Sequence, residues 1–113
     1  METDEAQQIQ AAKASAVAFA PLYERHFADI FRFVLRRVSD RDRTADLVQE
    51  TFLKAMLALP QYQSRGLPFR AWLYRIALNE VRMFWRKRKE VLIDLSLKEM
   101  KGMSVDMGLD LDE

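Results

Sequence analysis

Apolar residues recur at steps of three and four over three stretches of the chain, and nowhere do they alternate as a half-buried strand requires. In the first stretch Ala20, Tyr23, Phe27, Ile30, Phe31, Val34, Leu35 and Val38 trace one broad apolar stripe. In the second, the stripe is Ala45, Val48, Phe52, Ala55, Met56 and Leu59, and in the third it holds Phe69, Trp72, Leu73, Ile76, Ala77, Leu78, Val81 and Phe84. The pattern predicts an all-α fold, a compact bundle of three main helices. Residues 5–19 fit either a short extra N-terminal helix or an extension, and periodicity alone leaves both open.

Punctuation agrees with the periods. Pro21 suits a first turn, where its missing N–H costs little. Ser39, Asp40 and Asp42 offer oxygens to the unpaired N–H groups that open the second helix, and Pro60 stops it. The link between the first two helices is short, so they are expected to lie antiparallel. A polar loop follows over 61–67 with Gly66 as its flexible point, and Pro68 opens the third helix. Beyond Glu90 the pattern weakens, and 91–113 reads as an acidic linker or tail.

Charge sharpens this picture only once the chain is cut into pieces. The net charge is +1. Yet from 65 to 89 the bases Arg65, Arg70, Arg75, Arg82, Arg86, Lys87, Arg88 and Lys89 are opposed only by Glu80, whereas from Asp94 onward acids dominate. Such a basic block is the footprint of a polyanion partner, or else a solvated helix face. Catalysis finds no support: His26 is the only histidine, there is no cysteine, and glycine is too sparse to cradle a phosphate. His26, beside an apolar stripe, reads as a structural residue. No catalytic site, metal site or cofactor is expected. The absence of cysteine, of a signal-like start and of any apolar run of membrane-spanning length points to a cytoplasmic protein with no membrane insertion.

Polar faces then single out candidates. Arg75, Asn79, Arg82 and Arg86 are spaced four, three and four residues apart and share one helix face. Arginines fork onto phosphates and an asparagine offers donor and acceptor to a base edge, although an arginine-solubilised surface helix has the same spacing. A side chain that must reach a splayed base is better carried on a loop, which favours Gln61, Tyr62, Gln63, Ser64 and Arg65; Tyr62 and Trp85 sit where exposure would let them stack on bases. Trp72 and Phe69 fit the core better. On the second helix Asp46, Gln49 and Glu50 form an acidic and amide patch that suits a basic helix, or the dipole of their own helix.

These signals align with a family pattern. DLVQETF at 46–52 and PFRAWLYRIA at 68–77, in this order and spacing and followed by Asn79, resemble the second conserved region of extracytoplasmic-function (ECF) sigma factors of the sigma-70 family, over about 17–90. The resemblance implies a sigma region 2 domain with an extension over 1–16. It implies docking of Asp46, Gln49 and Glu50, with Leu53 and Lys54 nearby, on the clamp helices of the largest subunit of core RNA polymerase. It also implies capture by the 61–67 loop of a flipped base from the non-template strand of the minus-ten promoter element, with the Arg75, Asn79, Arg82 and Arg86 face contacting the same element. An anti-sigma factor is a further candidate partner. Two departures stand out: Met83 occupies a position where the family commonly has an acid, and nothing after Glu90 supplies the family's helix-turn-helix domain, as expected of a fragment or of a truncated family member, the fragment being the more natural reading. A sigma-like interaction module without promoter reading is the competing expectation.

Overall fold

The computed structural model describes the backbone of residues 2–106 and the side chains of 4–102. Four helices run in order, α1 (Glu2–Ala14), α2 (Ala20–Val38), α3 (Arg41–Ala58) and α4 (Phe69–Asp106), with 3-10 turns at Ala16–Phe19 and Leu59–Gln61. No strand occurs among the described residues. The fold divides after Val81 into two compact units, and α4 contributes to both.

Each boundary has a local cause. Ser39 takes the left-handed conformation (φ 61°) and its N–H donates to the Leu35 carbonyl at 2.8 Å, closing α2 behind Arg36 and Arg37, whose charges suit a helix C-terminus. One residue later Asp40 is extended and its carboxylate accepts from the Arg43 N–H at 3.0 Å, which caps α3. This two-residue link folds α3 back against α2. Pro60, which has no N–H to donate, lies in the 3-10 turn that ends α3.

The core of the first unit is a set of i, i+4 lines. α2 buries Leu22, His26, Ile30, Val34 and Val38; α3 buries Thr44, Val48, Thr51, Phe52 and Ala55; α4 buries Phe69, Leu73, Ala77 and Val81. Each fully buried Leu, Ile or Val contributes about 1.5–3 kcal/mol. Phe52 anchors an aromatic cluster, with the rings of Tyr23 at 4.9 Å, Phe19 at 6.4 Å and Phe27 at 6.5 Å.

Several expectations need correcting. The deepest line of α2 runs through Leu22 and His26 rather than Ala20 and Tyr23, both exposed, because His26 Nε2–H donates to the Glu5 carboxylate at 2.6 Å and so tolerates burial. Ala45 is exposed and Thr44 takes its place inside. The extra N-terminal helix left open by periodicity exists as α1. Residues 91–106, which periodicity reads as linker or tail, continue α4: Leu, Lys, Glu and Met are good helix formers and no glycine intervenes before Gly102. The part of the expected tail beyond 106 lies outside the described residues.

In the second unit, which begins at Arg82, α4 presents Val91, Leu92, Ile93, Leu95, Leu97 and Met100 about half exposed, and Lys98 lies 3.9 Å from Asp94 one turn away. No helix among the described residues is long and apolar enough to cross a membrane.

Candidate functional site

The loop between α3 and α4 is built by three backbone devices. Tyr62 N–H donates to the Leu59 carbonyl at 2.9 Å, the chain then extends, and Leu67 N–H donates to Ser64 at 2.9 Å across a turn in which both central residues, Arg65 (φ 48°) and Gly66 (φ 81°), are left-handed. Glycine is at ease there; an arginine is not, and costs about 1–2 kcal/mol in that region. The turn thus projects Arg65 outward at the expense of local strain.

Between this loop and the first turns of α4 lies a cleft of about 460 Å³. Gln61, Tyr62, Gln63, Ser64 and Arg65 line one side and Arg75 the other, so six of the sequence-predicted residues meet there. Ala58, Leu67, Pro68, Ala71 and Trp72 complete the wall. Tyr62 is placed differently from expectation: it is buried, not exposed, because its ring packs edge-on against Phe69 at 5.3 Å and meets Trp72 at 4.8 Å. Burial, and after it the Glu5 carboxylate, pushes the Tyr62 phenol above its usual range. Trp72, assigned to the core by periodicity, is half-buried and faces both Tyr62 and the cleft. An aromatic wall beside two guanidinium groups and the side chains of Gln61, Gln63 and Ser64 suits a base attached to a phosphate. Periodicity missed Trp72, since an apolar residue reads the same whether it faces a core or a cleft.

Asn79 is exposed on α4 and lies outside the cleft lining. Arg82, Trp85 and Arg86 belong to the second unit, where all three are exposed and the Trp85 ring sits edge-on to Phe84 at 5.2 Å.

α1 reaches this region from outside. Besides the Glu5–His26 bond, Arg25 Nε donates to Gln8 at 3.2 Å, Ala12 is buried, and Lys13 Nζ donates to the Tyr62 carbonyl at 2.9 Å while lying 5.8 Å from the centre of its ring.

On α3, Asp46, Gln49, Glu50 and Leu53 are exposed, and one turn further Leu57 is 67% exposed. Their spacing makes a face with two leucines flanked by acids, the composition expected of a docking surface for a basic amphipathic helix. Leu57 escapes a reading by periodicity because an exposed leucine carries no periodic signal. Lys54, on the same helix, is paired with Glu80. Among the described residues no group of three His, Cys, Asp or Glu side chains comes together as a metal site.

Residues 22–91 match the family model for sigma-70 region 2. The ECF RNA polymerase sigma factor SigL of Mycobacterium tuberculosis is 37% identical over 71 residues, 63% of this chain and 40% of SigL. SigM of Bacillus subtilis, also an ECF RNA polymerase sigma factor, is 33% identical over 73 residues, 64% of this chain and 44% of SigM. The RNA polymerase sigma factor NccH of Alcaligenes xylosoxydans xylosoxydans is 40% identical over 89 residues, 76% of this chain and 46% of NccH. The chain thus aligns with less than half the length of these relatives. No solved structure matches it.

Proposed function

The chain belongs to the sigma-70 family as a region 2 domain, of the kind found in ECF sigma factors, and from that premise we propose that it docks on core RNA polymerase and helps open the minus-ten element of a promoter by holding one extruded base of the non-template strand. The observation that carries the reading is the cleft lined by Tyr62, Trp72, Arg65 and Arg75.

Docking on the clamp helices of the largest subunit falls to Asp46, Gln49, Glu50 and Leu53 with Leu57, whose acids and leucines suit a basic amphipathic helix. Leu53 and Leu57 supply apolar area, and the acids set orientation more than affinity. The two-residue cap at Ser39 and Asp40 and the packing of Phe52 hold α3 in place.

Base capture uses no covalent chemistry. Unstacking one base costs a few kcal/mol, and stacking on an aromatic wall returns about 1–3 kcal/mol, so a promoter already strained by polymerase can be tipped toward opening. Arg65 and Arg75 hold the flanking phosphates, and Gln61, Gln63 and Ser64 are placed to test the base edge. Asn79 is a further candidate contact in the first unit, and Arg82, Trp85 and Arg86 are candidate contacts of the second. A factor acting on polymerase and promoter works in the cytoplasm.

The reading is tested with a fluorescent single strand carrying a minus-ten element, titrated at several salt concentrations. The native chain should bind with a steep salt dependence, and Arg65→Gln with Arg75→Gln should flatten the slope by about two phosphate contacts. An unchanged slope in the folded variant would remove the cleft from the interface.

A further inference from the structure

We propose that α1 is a brace for the base-holding loop and that Lys13 is the positioning residue through which it acts, so that base preference depends on a helix lying wholly outside the stretch that matches the family. The inference rests on the reading of the cleft as a base site.

The loop holds itself lightly. Among the described residues its own backbone bonds are the two from Tyr62 to Leu59 and from Leu67 to Ser64, and between them Arg65 and Gly66 both sit in the left-handed region. Gln63, Ser64 and Arg65 are exposed. A turn holding a strained arginine with so few bonds takes its shape from what clamps its ends.

One end is clamped by the start of α4. The other is clamped by Lys13. Its ammonium donates to the Tyr62 carbonyl across 49 positions of sequence, at the residue where the 3-10 turn gives way to extended chain. The same ammonium lies 5.8 Å from the Tyr62 ring centre, and that ring meets Trp72, the other aromatic wall of the cleft. Fixing the carbonyl therefore fixes both the loop's entry and the ring that sets the position of the wall.

Lys13 can do this because α1 is itself tied down. Glu5 accepts from His26 at 2.6 Å and lies 3.6 Å from Arg25, Gln8 accepts from Arg25 at 3.2 Å, and Ala12 is buried. These polar ties join α1 to α2, so they serve to aim the helix rather than to build the loop. A lysine suits this role, because its flexible stem spans the gap and its three donors seek a carbonyl with a free lone pair.

The test uses the full chain and a set of single strands identical except for one base at each minus-ten position. Native chain, Lys13→Met and Lys13→Arg are compared by fluorescence anisotropy, and amide hydrogen exchange of 62–67 is followed in parallel. Lys13→Met is expected to lower discrimination at one position by about fivefold or more, the lower end of what one stacked base is worth, with the salt slope unchanged. The amides of 62–67 should exchange faster, and Lys13→Arg should restore both readouts. A folded Lys13→Met protein that keeps the native preference, or that weakens all strands equally, overturns the proposal while leaving the base site standing. A native chain with no base preference at any position overturns the base site, and the brace with it.

Discussion

Lys54 on α3 forms an ion pair with Glu80 on α4, and Glu80 is both the only acid within the basic run 65–89 and almost fully buried, at 4% exposure. The pair joins the helix proposed to dock on polymerase to the helix proposed to hold DNA. Lys54 is thereby engaged inside the domain, although its position near the DLVQE motif marks it as a candidate polymerase contact.

Lys54→Met should therefore act on stability before binding. It leaves a carboxylate buried without its cation, a defect worth about 1–3 kcal/mol, toward the lower end because the lysine is half exposed and water can approach. Urea unfolding measures the loss, and the fraction that remains folded should bind core polymerase as the native chain does.

The docking face gives the opposite signature. Gln49→Ala combined with Glu50→Ala removes exposed groups with no part in the core, so stability should change by less than about 0.5 kcal/mol. Binding to the isolated clamp coiled coil should fall severalfold, as read by calorimetry.

Thr44 Oγ1 is buried with no hydrogen-bond partner. Thr44→Val replaces that hydroxyl by a methyl of nearly equal size and removes an unsatisfied polar atom. The variant should be neutral or more stable, by up to about 1 kcal/mol, in a thermal melt.

Alkaline pH should weaken the domain through two groups. The Tyr62 phenol is raised from its ordinary 10.0 by burial and then by Glu5; the Lys54 ammonium is raised from 10.5 chiefly by its hydrogen bond to Glu80. Both hold their proton more tightly folded than unfolded. Their contributions are thus complete below pH 10.0 and are lost as pH rises through the raised folded values. Melting temperature should be insensitive to these two groups near neutrality and drop above that point, and Tyr62→Phe should make the drop shallower.

Much of this molecule was legible in its sequence because helices repeat. The three main helices, the Asp40 cap, the Pro60 stop and the polar loop follow from spacing and from residue chemistry at the ends. The motif pair at 46–52 and 68–77 pointed to the sigma-70 region 2 family, which the match over 22–91 shows. What escaped was set by tertiary contacts. His26 broke an apolar line that is nonetheless buried, since only the fold brings Glu5 to its ring. Tyr62, read as a free stacking ring, is packed by Phe69 and Trp72. The tie from Lys13 to Tyr62 joins residues 49 positions apart, beyond the reach of any local pattern. The helix over 91–106 is rich in good helix formers and carries the Lys98–Asp94 pair, but lacks the periodic apolar face by which the other helices are read.

In the proposed mechanism this domain gives polymerase a grip on one promoter strand. That grip is read by the binding of a labelled minus-ten non-template strand to core RNA polymerase with and without the chain. Sequence-preferring binding is expected only when the chain is present, and should weaken severalfold when Gln49→Ala and Glu50→Ala are combined in a chain that still folds. A chain that binds polymerase but leaves its affinity for every strand unchanged would contradict the mechanism, and would leave α3 as a docking surface without promoter reading.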